Sequence, residues 1–204
     1  ESEEFTLRNI SFKVNSGEKV AIIGKNGAGK TTLIKILLRL YTPTEGKILI
    51  NDRDYCSYSE SEIIRLFSVI LQDFGIYSFP INNNISMDSE YNETKIAKTL
   101  KEVGLIDKIH SLHNGGKTYI TQRLDKNGVE LSGGESQKLA MARAIYKDAP
   151  IYIFDEPTSA LSPESEYEIY SKFENITQDK TTFFISHKLA SCKLCDKIIV
   201  LEDG

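Results

Sequence analysis

One stretch decides the fold of this chain, and it reads Gly24-Lys25-Asn26-Gly27-Ala28-Gly29-Lys30-Thr31-Thr32. A short apolar run at 19–23 precedes it and predicts a buried strand, and residues 33–40 follow with the apolar content of a helix packed on a sheet. Strand, glycine loop and helix in this order are what a phosphate-binding loop requires. Glycines let successive N–H groups point into one concavity, and the helix N-terminus adds partial positive charge. We therefore expect a nucleotide here, with Lys30 reaching its terminal phosphates and the Thr31 hydroxyl binding Mg²⁺.

The composition is that of an ordinary globular protein, and 204 residues are enough for one domain with a real core. A net charge of −4 argues against a strongly basic face for nucleic acid. No apolar run approaches the roughly 18 residues that a membrane span needs, and the acidic start lacks a signal-peptide pattern. Three cysteines without a framework suggest a reducing compartment. Because the first residue is not Met, we expect a fragment of a longer chain.

Strand and helix patterns alternate along the sequence. Alternating or apolar runs predict strands, and these runs are residues 7–14, 47–50, 67–71, 151–154, 181–185 and 198–201. The first two are expected as hairpin-like strands beside the nucleotide. The remainder alternate with helices, which predicts a mainly parallel sheet covered on both faces.

The region from about 73 to 133 has a different character and is predicted to be a helical insertion in a sheet protein. Asn92 is a candidate helix cap, and Gly104 is a candidate stop. Residues 82–84 are three asparagines and predict a polar turn, while residues 105–112 predict a further short helix. Outside the insertion, Ser59 and Ser162 are candidate caps of two more helices. We expect all of residues 1–204 to form one domain around this insertion.

Several chemically active residues fall just past the ends of apolar strands: Gln72, Asp155, Glu156, Ser186 and His187. Ligands of open parallel sheets bind at the carboxyl ends of the strands. Singly, each residue has an ordinary interpretation, as a loop polar group, a capped turn or a core histidine. Together they supply what ATP hydrolysis needs: Asp155 and Gln72 to hold Mg²⁺, Glu156 to orient or deprotonate a water, and His187 to hydrogen-bond the terminal phosphate.

The order of these features resembles the nucleotide-binding domain of the ATP-binding-cassette (ABC) family over nearly the whole chain. The motifs that carry the resemblance are the phosphate loop, Gln72, the signature Leu131-Ser132-Gly133-Gly134-Glu135, Asp155-Glu156 and His187. The resemblance implies an α/β fold: a P-loop NTPase core with a mainly parallel sheet, an antiparallel β subdomain and a helical subdomain. It implies ATP and Mg²⁺, and head-to-tail dimerisation with an identical or related ATPase domain. ATP is then held between the phosphate loop of one copy and Ser132, Gly133, Gly134 and Glu135 of the other. Without the family, the signature can be interpreted as a glycine-rich helix cap.

The finer pattern is similar to the exporter type. Residues 79–85 resemble the segment that meets transmembrane coupling helices, and residues 124–130 resemble the exporter coupling loop, without its usual glutamate. Ser162 stands where the family usually has aspartate, and Phe5 is the nearest candidate for the aromatic that stacks on adenine. The resemblance implies an ATPase at the cytoplasmic face of a membrane that powers export, with transmembrane domains on the same parent chain.

Two alternatives to an exporter ATPase are open. A soluble cassette ATPase of translation or DNA repair usually has two cassettes in one chain, or a long coiled coil between phosphate loop and signature. Neither feature is present in the sequence. A regulatory module that binds nucleotide without turnover is expected to lack the base, whereas Glu156 is present.

Overall fold

The structure is a computed structural model that describes residues 6–158, 161–186 and 192–204. The chain forms two compact units. The first unit combines the described residues up to Val69 with Ala149–Asp155 and the described part of Thr177–Gly204. The second combines Ile70–Asp148 with the described part of Glu156–Ile176.

The strands are β1 (Lys19–Gly24), β2 (Leu49–Ile50), β3 (Arg53–Asp54), β4 (Phe67–Ile70), β5 (Ile151–Asp155), β6 (Thr181–Ile185) and β7 (Lys197–Leu201). The helices are α1 (Lys30–Leu37), α2 (Glu60–Leu66), α3 (Ile81–Ser86), α4 (Glu93–Glu102), α5 (Ile106–His110), α6 (Gly133–Lys147) and α7 (Pro163–Ile176). Two single-turn 3₁₀ helices, Tyr55–Ser57 and Gly115–Lys117, complete the described elements.

A five-stranded sheet in the order β4-β5-β6-β1-β7 organises the first unit, and β2 pairs with β3 in a separate antiparallel sheet. Strand β1 lies parallel to both β6 and β7, and β5 lies parallel to β6. The core on this sheet includes Val20 and Ile22 of β1, Ile153 of β5 and Ile34 of α1, all fully buried. The predicted α/β class with a parallel sheet and a small antiparallel sheet is therefore confirmed.

Helices dominate the second unit. Helix α6 packs against α3 and α4, and α4 also packs against α3 and α5. Three of the described helices begin at a side-chain cap, and the sequence predicts two of these caps, Ser59 and Asn92. Ser59 starts α2, Asn92 starts α4 and Ser132 starts α6, and in each case the side-chain oxygen accepts from a backbone N–H in the first turn. None of the described helices is long and apolar enough to cross a membrane.

Two local predictions are wrong. Residues 7–14 form no strand, and the alternating side chains of Ile10 and Phe12 are partly exposed. The antiparallel pairing instead joins β2 to β3, because the turn at Asn51 and Asp52, both in the left-handed region, brings these two short strands together.

Residues 82–84 are not a polar turn, since they lie within α3. Asn84 is fully buried there, and its amide nitrogen donates to the carbonyl oxygens of Tyr77 and Phe79 at 2.9 and 3.1 Å. Because these bonds satisfy the amide group of Asn84, the side chain can be buried within a helix and does not require a turn.

Candidate nucleotide-binding site

The phosphate loop joins β1 to α1 in the first unit, as the sequence predicts. Gly27 and Gly29 have φ values of +85° and +94°, a region that glycine adopts without steric cost. Gly24 is required for another reason: a Cβ atom there would collide with the carbonyl oxygen of Leu201 in β7. The glycines of the loop thus meet two separate demands, a backbone reversal and close packing on the neighbouring strand.

The N-terminus of α1 differs from those of α2, α4 and α6. In the described part of the chain, no side chain caps α1, and its first turn contains no acidic residue. The backbone N–H groups of a first helical turn have no partners within the helix, and they carry the positive end of its dipole. This helix start therefore has the donors and the charge that suit a phosphate group.

Lys30 lies at the first position of α1 with its ammonium group folded over the loop. Its Nζ atom donates to the main-chain oxygens of Gly24 at 2.7 Å and Lys25 at 2.9 Å. These carbonyls hold the ammonium over the loop that we expect to bind phosphate, and Thr31 follows directly along the helix.

Asp155 is the last residue of β5 and is buried, with 5% of its surface exposed. In the register of the sheet, Ile185 of β6 pairs with Asp155 on one side and with Ile22 of β1 on the other. Asp155 therefore lies two strands from β1, a distance of roughly 10 Å at the usual strand spacing. The first unit thus places this carboxylate and the phosphate loop at the same edge of the sheet, since β5, β6 and β1 are parallel.

Glu156 follows Asp155 and belongs to the second unit. Its φ of +49° is in the left-handed region, which is uncommon for a glutamate and often marks a functional position. The buried Gln137 of α6 donates from Nε2 to the main-chain oxygen of Glu156 at 3.4 Å. Helix α6 begins at the signature, so this contact connects the signature helix to the backbone of the candidate base.

The signature forms the start of α6. Ser132 is the N-cap, and its Oγ atom accepts from the N–H of Glu135 at 3.3 Å. The Glu135 carboxylate in turn accepts from the N–H of Ser132 at 2.9 Å, which completes a capping box. This hydrogen bond is the main reason that the pKa of Glu135 is lowered, and the ammonium of Lys108 lowers it further.

The remaining predicted site residues have fewer described contacts, or lie outside the described part of the chain. Gln72 is exposed in the second unit, two residues beyond the end of β4. Ser186 is buried and follows β6. His187 and Phe5 lie outside the described residues. Ser162 directly precedes α7, and its main-chain oxygen accepts from the N–H of Glu166 at 2.8 Å.

The sequence pattern does not single out Arg143, which lies on the helix that begins with the signature, α6. Its guanidinium donates to the main-chain oxygens of Asn84 at 2.9 Å and Gly75 at 3.0 Å, and it lies over the ring of Tyr77. Burial lowers the pKa of Arg143. Its only signal in the sequence is a charged residue among the small and apolar residues of the helix.

A family model described as "ABC transporter" matches residues 7–159. The chain belongs to the ABC transporter family. It is 38% identical over 97% of its length to a "Beta-(1-->2)glucan export ATP-binding/permease protein" of Rhizobium etli. It is 37% identical over its whole length to an "ATP-dependent lipid A-core flippase" of Burkholderia orbicola. The chain spans about a third of the length of these relatives, 33% of the first and 34% of the second.

A solved structure supports the same assignment at the level of the fold. It is titled "Structure of a bacterial Atm1-family ABC exporter with ATP bound", and it matches the whole of this chain with a TM-score of 0.90 and 33% sequence identity. The chain covers 35% of that exporter. These three proteins are named as an export protein, a flippase and an exporter, and none supports a role in translation or DNA repair.

Proposed function

We propose that this chain is the ATPase domain of a membrane exporter, and that ATP-driven association of two such domains powers transport. The observation that carries the proposal is the phosphate loop, whose helix start has no side-chain cap among the described residues and whose lysine is held over the loop. The membrane-export part of the proposal is supported by the names of two relatives, an export ATP-binding/permease protein and an ATP-dependent flippase.

The N–H groups of residues 24–32 and the ammonium of Lys30 bind the phosphates of ATP. Thr31, Asp155 and Gln72 fit a Mg²⁺ ion, because hydroxyl, carboxylate and amide oxygens are the ligands that this hard cation takes. Asp155 is already at the edge of the sheet where the loop lies. When bound, Mg²⁺ neutralises charge on the phosphates.

Glu156 is the proposed general base, which orients the attacking water and accepts its proton. His187 hydrogen-bonds the terminal phosphate or that water, and Gln72 contacts the metal or the water. In phosphoryl transfer most of the catalysis is positioning and charge stabilisation. The contact from Gln137 to the main chain of Glu156 contributes to such positioning from within the second unit.

Ser132, Gly133, Gly134 and Glu135 are proposed to form the site for the ATP that is held by the phosphate loop of a second ABC ATPase domain, identical or related. Glu135 belongs to this site through the capping box that holds the start of α6. Helix α6 has 15 residues, and its start offers backbone donors and a dipole to an anion. The transmembrane domains are proposed to lie on the same parent chain, which places this domain at the cytoplasmic face of the membrane. Nucleic acid is not a proposed partner, since the chain is acidic overall.

Two variants test the proposal. Lys30→Ala should weaken ATP binding in calorimetry, because it removes the ammonium group that is held over the loop. Glu156→Gln should keep ATP binding and lose steady-state phosphate release, since an amide cannot accept the proton. Lys13→Ala, on an exposed segment of the first unit, is the control and should match the parent in both assays. Phosphate release by the Glu156→Gln variant at the parent rate would exclude Glu156 as the base.

A further inference from the structure

The Glu135 carboxylate in the first turn of α6 is held from two sides. One of its oxygens accepts from the N–H of Ser132 at 2.9 Å. The other lies 3.5 Å from the Nζ atom of Lys108 in α5, and the two side chains remain 26% and 46% exposed. The carboxylate is therefore fixed at the helix start with a cation beside it.

A carboxylate at this position has two opposite effects. It stabilises α6 by completing the capping box and by interacting with the positive end of the helix dipole. Its negative charge also opposes any second anion that approaches the same helix start, and the triphosphate of ATP is strongly anionic. A cation close to the carboxylate reduces the opposing effect without disturbing the cap.

We propose that Lys108 is a positioning residue for nucleotide binding, which neutralises Glu135 so that the signature accepts the phosphates of ATP bound to the second copy. This inference rests on the proposed function of the signature. Lys108 acts through Glu135 and the local charge, and no contact between Lys108 and ATP is required.

The alternative is a purely structural ion pair that fastens α5 to α6. Partly exposed ion pairs contribute little to stability, so this alternative predicts a small change in melting temperature and no effect on ATP. The two interpretations are separated by the ATP concentration that gives half-maximal hydrolysis, compared with the rate at saturating ATP.

The test measures ATP hydrolysis by the purified protein and by its Lys108→Gln variant. Leaving the Glu135 charge unopposed should raise the half-saturating ATP concentration about three- to tenfold, with a nearly unchanged rate at saturation. Adding Glu135→Gln should return it to within about twofold of the parent, because glutamine retains the capping box and removes the charge. Lys108→Arg should match the parent, and the effect of Lys108→Gln should shrink as salt rises.

Lys98→Gln is the matched control. Lys98 forms an ion pair with Glu102 within α4 at 3.8 Å, so this variant makes the same charge change in the same unit. It should leave the half-saturating ATP concentration unchanged. Glu135→Gln alone is a second test that needs no change at Lys108, and it should lower the half-saturating concentration because Lys108 then adds an unopposed positive charge.

The results distinguish this inference from the proposed function. If the parent hydrolyses ATP and requires Lys30, but Lys108→Gln has the half-saturating concentration of the parent, the role of Lys108 is excluded and the ATPase assignment stands. The role of Lys108 is also excluded if Lys108→Gln raises the half-saturating ATP concentration and the added Glu135→Gln does not return that concentration toward the parent value. A parent protein without ATP hydrolysis overturns both.

Discussion

The guanidinium of Arg143 and the main chain of Asn84 are joined by a hydrogen bond of 2.9 Å from Nε, which ties α6 to α3. A second donation, from Nη1 to the oxygen of Gly75 at 3.0 Å, extends the same clamp to the segment before α3. The helix that begins with the signature therefore holds residues 75–84, part of which resembles the segment that meets coupling helices in exporters.

Arg143→Lys should destabilise the protein by about 1–3 kcal/mol, because a lysine ammonium cannot reproduce the planar fork that reaches both oxygens. In a chain of this size, that corresponds to a fall of roughly 2–12 °C in melting temperature. Differential scanning fluorimetry checks the prediction. Arg65→Lys, at an exposed position of α2, should stay within about 1 °C of the parent. Equal melting temperatures for the two variants would show that the clamp contributes nothing.

Asn84→Asp should destabilise the protein by about 2–4 kcal/mol. The side chain keeps its shape but loses its amide donor, which leaves the oxygens of Tyr77 and Phe79 facing a buried carboxylate. The guanidinium of Arg143, 3.4 Å from the side-chain oxygen of Asn84, offsets this cost only in part. Chemical denaturation with urea measures the change. Asn127→Asp makes the same substitution on an exposed turn and should have little effect. The prediction fails if both variants unfold at the same urea concentration.

Glu135→Gln should reduce the loss of stability in acid. Because hydrogen bonding in the capping box lowers the pKa of Glu135 below its usual 4.5 in the folded protein, the ionised side chain contributes stability that is present above pH 4.5. This contribution disappears as the pH falls through the lowered pKa. The difference in melting temperature between parent and variant should therefore be largest near neutral pH and vanish toward pH 3. A control, Glu45→Gln in an exposed turn, should follow the parent, and a difference that stays constant to pH 3 would contradict the assignment.

Cys195 should react slowly with iodoacetamide. Burial raises the pKa of its thiol to about 12, so only about one molecule in 10,000 has the reactive thiolate at pH 8. Cys56 is exposed and serves as the internal reference. Peptide mass spectrometry after brief alkylation of the native protein should find Cys56 modified first, and comparable modification after unfolding. Equal rates in the native protein would show that Cys195 is accessible and ionised.

The sheet could be predicted from the sequence because its strands β1, β4, β5, β6 and β7 are short apolar runs between turn residues. The starts of α2, α4 and α6 could be predicted for a similar reason, since a cap is a local interaction between residues three apart. The phosphate loop is local in the same sense. Its glycines, lysine and helix are contiguous, so the pattern contains all of the information.

Features that depend on distant parts of the chain could not be predicted. The pattern of residues 7–14 suits a strand, but a strand needs a neighbouring ladder, and the N–H of Arg8 instead donates to the main-chain oxygen of Gly204. Buried Asn84 is compatible with a helix because carbonyls from the preceding segment accept its amide protons. Lys108 and Glu135 lie on different helices, so their contact cannot be predicted from local spacing in the sequence.

The order of the strands also fixes when the nucleotide loop can become stable during synthesis. Strand β1 is made early, but its neighbours β6 and β7 are made about 160 and 180 residues later, as the pairing of Val20 with Phe183 and Lys197 shows. At ribosomal rates this interval is about 10–30 s. During that time the apolar β1 has neither of its native strand neighbours. The nascent chain therefore exposes an aggregation-prone segment that chaperones are suited to bind until translation reaches β7.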